Sequence, residues 1–345
     1  MIVFELNNKG IVSYKMSTLK DVARLAGVTP STVSYVLNNK KKVKEDTKRR
    51  IYKAVDELNY SPNMIARSLR TNSTKTIGVI VASLSDLFFS CVVRAIENEA
   101  HKYNYSVILC NTDNSAEREI EKINILLSQR IDGMIFAGTG RNMKPFSEGL
   151  NVPMVSIDRI VNDCNCSITV DNAMGGRLAA EFLIKNELMP MAIITYTTTI
   201  NTFFDRVYGC RKALEEHGIG FNENLLIQTE LASYNEGYDA AIELLRRNVE
   251  FKSVFCCNDL LAVGAMRAFI ENKMEISKDV SIIGYDDIDI SKMLAPSLTT
   301  IRQPKHGMGE LAVKTLIKLM NGEVLEQSLF VLEPELVVRE SAVHR

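Results

Sequence analysis

The chain has 345 residues, of which 46% are hydrophobic and 24% charged, with a formal net charge of −1. That length accommodates two or three domains, and no apolar run approaches the roughly 18 residues that a membrane-spanning helix needs. Its seven cysteines are an odd number with no C-x2-C pair, which fits reduced thiols of a cytosolic protein and not a disulfide framework.

The near-zero total charge hides an asymmetry. Residues 17–75 hold thirteen Lys/Arg against five acids, a surplus of eight, so the remainder carries minus nine. A basic head on an acidic body concentrates attraction for phosphates at one end of the chain.

Residues 1–16 lack the basic start and apolar centre of a signal peptide. The expectation is a leader that is either disordered or outside the native frame, which would then start at Met16. The regular pattern begins at Thr18. With Asp21 three residues later it forms a capping box, and Val22, Leu25 and Ala26 give an amphipathic stripe that Gly27 ends. Thr29 is placed to cap a second helix with Pro30 at its first position. Val33, Val36 and Leu37 form its inward side, leaving Ser31, Thr32, Ser34, Tyr35 and Asn38 as a short polar face suited to base edges in a major groove. A third helix over 45–59 buries Ile51, Ala54, Val55 and Leu58. Lys44, Lys48, Arg49, Arg50 and Lys53 point mostly outward.

This stretch resembles the lactose-repressor/galactose-repressor family of transcription regulators. The matches are T-L-K-D-V-A at 18–23, A-G-V at 26–28, T-V-S at 32–34, V-L-N at 36–38 and E-L-N-Y-S-P-N at 57–63. The resemblance implies DNA contacts from Thr18, Leu19, Thr29, Pro30, Ser31, Thr32, Ser34, Tyr35, Asn38, Thr47 and Tyr60. It also implies a hinge helix over 62–70 in which Asn63, Ala66, Leu69 and Arg70 meet the minor groove, Leu69 wedging between base pairs. At about two turns such a helix is marginal alone in water, so it is expected to fold on the operator.

From residue 76 onward, short β-branched runs alternate with helical segments. Strands are expected at 76–82, 106–110, 133–137, 153–158, 167–171, 192–196, 253–257, 280–286 and 298–302. Helices are expected at 88–103, 116–129, 172–186, 204–217, 235–248, 259–272 and 305–320. Strands apolar throughout, with helices between them, indicate parallel sheets covered on both faces.

The fold class is therefore a small all-α helix-turn-helix head plus an α/β body. The resemblance implies two doubly wound subdomains of the periplasmic-binding-protein type, crossed three times by the chain. The expected division is head 17–75, first effector-binding and dimerisation subdomain 76–172 with 304–333, and second subdomain 173–303 with 334–345.

Ligands of open parallel sheets sit beyond the carboxyl ends of strands. That rule selects Asp86, Phe88, Phe89, Asp158, Arg159, Asp171, Asn258, Asp259 and Asp286. The resemblance adds Arg206, whose counterpart forks onto effector oxygens. Acids, an amide and arginines suit a polyhydroxylated ligand, because each hydroxyl both donates and accepts. For Asp171, Asn258 and Asp259 a helix-cap role weighs equally, and for the two phenylalanines a place in the core. Relatives place a stacking aromatic where this chain has Ala232, leaving Tyr234 or Phe88 to stack.

No catalytic or cofactor motif emerges. Gly138-Thr139-Gly140 lacks the third glycine of a dinucleotide loop; Cys164 with Cys166, and the acids at 286, 287 and 289, are poor metal sets. A solute-binding protein fits the body but not the basic head. The expected partners are operator DNA, a homodimeric second copy and a small effector, which the resemblance implies is a carbohydrate; some relatives respond instead to a phosphorylated carrier protein.

Overall fold

The computed structural model describes residues 4–6, 12–14, 17–37, 43–60, 73–139, 152–161, 164–196 and 201–342. The chain divides into two compact units, Met1–Thr74 and Lys75–Arg345.

In the first unit, β1 (Phe4–Leu6) and β2 (Val12–Tyr14) pair antiparallel. Both strands lie within residues 1–16, for which the sequence reading offered disorder or a native start at Met16. Three helices follow: α1 (Leu19–Ala26), α2 (Pro30–Leu37) and α3 (Glu45–Glu57). The capping box forms as the sequence predicts. Asp21 N–H donates to Thr18 Oγ1 at 3.3 Å, Thr18 N–H donates to Asp21 Oδ2 at 3.0 Å, and Gly27 closes the helix at φ 64°. Thr29 Oγ1 accepts from Thr32 N–H at 3.2 Å, capping α2.

Val22, Ala23, Ala26, Val33, Val36, Ile51 and Ala54 form the miniature core. Leu25 departs from the expected stripe and is 47% exposed. The small Ala23 fits where the three short helices converge, and the bulkier Leu25 falls on the outer side.

The second unit holds two six-stranded sheets. The first has the order β13-β7-β6-β5-β3-β4 and is parallel throughout, built from β3 (Thr76–Val81), β4 (Ser106–Asn111), β5 (Gly133–Ala137), β6 (Met154–Ile157), β7 (Cys166–Val170) and β13 (Leu329–Leu332). The second has the order β14-β12-β11-β10-β8-β9, from β8 (Met191–Tyr196), β9 (Leu226–Thr229), β10 (Ser253–Cys256), β11 (Ser281–Asp286), β12 (Thr299–Arg302) and β14 (Glu335–Val337), of which only β14 runs antiparallel to its neighbour. The fully buried pattern of β5, β6, β7, β10 and β11 is what two-sided helix cover demands.

Helices α4 (Leu87–Lys102) and α5 (Ala116–Ser128) serve the first sheet. Helices α6 (Asn172–Lys185), α7 (Asn201–Glu216), α8 (Tyr234–Arg246) and α9 (Asp259–Glu271) serve the second. Helix α10 (Lys305–Met320) leaves the second sheet and packs Met308, Ala312, Val313 and Leu316 into the core of the first. The chain thus passes between sheets after β7, after β12 and between β13 and β14. Strands β9, β13 and β14, which sequence reasoning did not place, are short edge strands whose partly exposed residues break the apolar run that marks a central strand.

Candidate functional site

The outer face of the head comes from short helices whose inner faces are used up by the core. Pro30, Ser31 and Tyr35 are exposed along α2, with Thr32 and Ser34 half-buried beside them. Thr18 and Thr29 lie at helix starts with their hydroxyls engaged in capping. Leu19 and Tyr60 pack against the core, and burial raises the Tyr60 phenol above its ordinary pKa. Thr47 is half-buried in the first turn of α3. Lys44, Arg49 and Lys53 are exposed on α3; Lys48 pairs with Glu45 at 2.7 Å, and Arg50 Nη1 donates to the Ala26 carbonyl at 3.2 Å. Asn38, Asn63, Ala66, Leu69 and Arg70 lie outside the described residues.

In the body, the site grows from the carboxyl ends of both sheets. Arg206 projects from α7 and is 3% exposed. Its Nε donates to Asn172 Oδ1 at 2.8 Å and its Nη1 to the Cys257 carbonyl at 2.5 Å, while Nη1 stands 3.8 Å from Asp286 Oδ1. The guanidinium also lies over the rings of Tyr285, at 3.7 Å, and Phe203, at 4.9 Å. Burial opposes its charge, yet Tyr285, Asp286 and Asp158 together keep its pKa raised.

Asp286 ends β11 and is buried, and Gln303 Nε2 donates to its Oδ1 at 2.6 Å. Burial pushes this carboxyl well above the carboxylate range, with Asp86 adding to the push and Arg206 opposing it. On the first sheet, Asp158 follows β6 at φ 72° and is also raised by burial, against the pull of Arg159 and Arg206. Arg159 Nε lies 3.6 Å from Asp158 Oδ2, and its Nη1 donates to the Gly138 carbonyl at 2.7 Å. Asp86 caps α4, Oδ1 accepting from Phe88 N–H at 2.9 Å. Burial pushes it up to about 6, helped by Asp158 and opposed by that N–H and by Arg206. Three acids and two arginines contributed by both sheets therefore sense one another.

Several expected ligands have other roles. Asp259 is fully buried; its Oδ2 accepts from Ile288 N–H at 2.8 Å and the Ser291 hydroxyl at 2.7 Å, and its Oδ1 from the Thr300 hydroxyl at 2.6 Å. These bonds fasten the loop after β11. Asn258 caps α9 through Leu261 N–H at 2.8 Å and donates to the Ala232 carbonyl at 3.2 Å, so both ends of its amide are occupied. Asp171 caps α6 through Met174 N–H at 2.8 Å. Phe88 and Phe89 are 3% and 5% exposed and pack edge to face in the core of the first sheet, the core role that the sequence left open for them. Tyr234 is 41% exposed at the start of α8.

Sequence reasoning missed Asn172, which orients Arg206, and Gln303. It also missed Thr202, one helical turn before Arg206 and so on the same face of α7. Buried polar atoms without a hydrogen-bond partner include Arg159 Nε, Thr202 Oγ1 and Gln303 Oε1. Native interiors satisfy nearly all such atoms; among the described residues Thr195 Oγ1 and Arg211 Nε are open as well, and of the five only Arg159 Nε and Gln303 Oε1 belong to side chains that touch the acid cluster, through Asp158 and Asp286. Gln303 lies at a crossing between sheets, where the expected division of the body already broke at 303/304, but it was not read as a ligand residue.

A basic helix-turn-helix head joined to a two-sheet body with a polar ligand cleft defines a ligand-responsive DNA-binding regulator. The model for bacterial regulatory proteins of the lacI family matches residues 18–63, and that for periplasmic binding proteins and the sugar binding domain of the LacI family matches residues 74–330. The chain is 37% identical over 331 residues to the HTH-type transcriptional regulator RegA of Clostridium saccharobutylicum, covering 95% of this chain and 99% of that protein. It is 35% identical over 332 residues to the ribose operon repressor of Escherichia coli strain K12, covering 95% and 100%. The structure of the Lac repressor dimer bound to operator and the anti-inducer ONPF superposes with a TM-score of 0.86 at 28% identity, covering 95% of this chain and all of that one. The chain belongs to the LacI family, and it is a DNA-binding transcription regulator.

Proposed function

We propose that the protein is a repressor that binds a pseudo-palindromic operator as a dimer, with operator affinity set by a small uncharged sugar or sugar derivative in the cleft. The observation that carries the effector reading is the buried Arg206, held by Asn172 and faced by Asp286, with open polar atoms of Arg159 and Gln303 beside the acids. A bidentate donor beside carboxylate acceptors matches adjacent hydroxyls of a polyol.

The basic surplus of the head and the polar outer face of α2 support the DNA reading. Two heads per dimer would each read one half-site. Effector and operator would then be coupled, typically by about 1–3 kcal/mol.

The test pairs two measurements on the full-length protein. Fluorescence anisotropy with duplexes from its own upstream region, across a salt series, should find a sequence preferred over scrambled DNA, with affinity falling as salt rises. A thermal-shift screen of aldopentoses, hexoses, disaccharides and sugar phosphates, with purine bases as non-sugar controls, should stabilise the body with a neutral sugar. Stabilisation by purines or sugar phosphates alone would defeat the effector reading and leave the DNA reading standing.

A further inference from the structure

The Asp286–Asp287 turn holds two consecutive residues in left-handed backbone, at φ 109° and φ 52°. Asp tolerates the ordinary left-handed region better than most residues, but φ 109° at Asp286 lies beyond it and needs support from its surroundings. Here that support comes from the end of β12 and the residue after it, and from Arg339 beyond β14. Arg302 Nε donates to Asp287 Oδ2 at 2.6 Å, Arg339 Nη2 to Asp287 Oδ1 at 2.5 Å, and Gln303 Nε2 to Asp286 Oδ1 at 2.6 Å.

Lys305 differs from these three because it acts on the backbone itself. Its half-buried side chain brings Nζ to the Asp287 carbonyl at 2.9 Å and also to the Asp286 carbonyl. Lys305 is the first residue of α10, where the helix field disfavours a cation, and no acid in that first turn offsets it. The two carbonyls supply the compensating acceptors. Helix α10 belongs to the core of the first sheet, whereas Asp286 belongs to the second. The ammonium therefore ties the turn that carries a ligand-facing acid to the element that crosses between sheets.

We propose that Lys305 is a positioning residue for effector recognition, locking the Asp286–Asp287 turn to the 303–305 crossing so that the Asp286 carboxylate is presented to the ligand. The lock itself stands on geometry alone; its consequence for binding rests on the sugar-effector reading above.

The test compares wild type with Lys305→Met, which keeps the methylenes and removes the ammonium, and Lys305→Arg, which keeps a donor. In ligand-free full-length protein, hydrogen exchange followed by mass spectrometry over peptides spanning 284–292 should quicken about tenfold in Lys305→Met, stay near wild type in Lys305→Arg, and be unchanged in the strands at 191–196 and 253–256. Calorimetry with D-ribose and then other aldopentoses and hexoses should show affinity for the best wild-type ligand falling roughly tenfold in Lys305→Met and largely restored in Lys305→Arg.

Unchanged exchange across the turn, or equal acceleration across the whole second sheet, would overturn the lock. A loosened turn with wild-type sugar affinity would overturn the positioning role. If wild type binds no sugar, the effector reading fails and takes the positioning role with it, while exchange still decides the lock.

Discussion

The guanidinium carbon of Arg206 lies 3.7 Å from the centroid of the Tyr285 ring. Tyr285 is itself fully buried, and its phenol oxygen is 3.4 Å from Asn172 Oδ1, the same atom that receives Arg206 Nε. The arginine is thus stacked on one side and hydrogen-bonded along its edge before any ligand arrives. A planar fork held this way loses little freedom on binding.

Replacing Arg206 with Lys should therefore cost effector binding far more than DNA binding. An ammonium keeps the charge but neither stacks as a plane nor spans Asn172 and the Cys257 carbonyl. Removing one partner of a buried charged set typically costs about 3–5 kcal/mol, and retaining a cation should hold the stability loss below that range. Operator anisotropy without effector should stay within about twofold of wild type, with the response to the best sugar lost. A normal response in this variant would place the ligand elsewhere.

Two glycines make Arg206 possible. A Cβ on Gly176 would stand 1.9 Å from the Arg206 carbonyl oxygen, and one on Gly209 1.9 Å from that of Ala173. Helices α6 and α7 thus touch backbone to backbone. Gly176→Ala should force them apart, costing at least the roughly 1–3 kcal/mol of ordinary overpacking and displacing the guanidinium. Chemical denaturation should register the loss, and sugar affinity should fall in the variant that remains folded.

What the sequence made legible follows from which forces act locally. The head was readable almost to the residue because capping boxes, a helix-ending glycine and three-four spacing are local signals, and Thr18, Asp21 and Gly27 act as they imply. Central strands were readable because burial on both faces leaves an unbroken apolar run. Edge strands β9, β13 and β14 were not, since they are only three or four residues long and partly exposed, whereas the longer edge strand β4 keeps the apolar run Val107–Cys110. In the cleft, Arg206 and Asp286 came together, but Asp259 and Asn258 turned inward to fasten loops. The same residue types at strand ends serve as caps or as ligands, and the choice depends on partners such as Ile288, Ser291 and Thr300 that lie 29 to 41 positions away.

Stability of the body should rise on mild acidification. Asp86 and Asp259 are each pushed up to about 6 by burial, above their usual value of 3.8, and Asp158 and Asp286 are raised as well. A folded state whose acids bind protons more tightly than the unfolded chain gains stability below the unfolded pKa and loses it as pH rises through the folded one. The window for Asp86 and Asp259 therefore runs from about 4 to about 6. Asp86→Asn keeps an N-cap of equal quality and removes one titrating group. Urea unfolding at pH 5.5 and 7 should show a wild-type gain at the lower pH and a smaller gain in the variant. Equal gains would mean that Asp86 does not carry its share.

If α2 reads bases while α3 attracts phosphates, the two helices should respond differently to substitution. Tyr35 is 37% exposed on the outer side of α2, next to the capped start that presents Ser31 and Thr32. Arg49 is exposed on α3 and is one of the thirteen cations of residues 17–75. Tyr35→Ala should weaken the preferred duplex by about 1–3 kcal/mol while leaving scrambled DNA and the salt slope nearly unchanged, because a base contact releases no counterion. Arg49→Ala should weaken both duplexes alike and reduce the slope of log affinity against log salt by about 1. Anisotropy titrations at four salt concentrations distinguish the outcomes. If both variants lost only the salt-sensitive part, α2 would be gripping phosphates, and the element that reads bases would have to be sought elsewhere in the head.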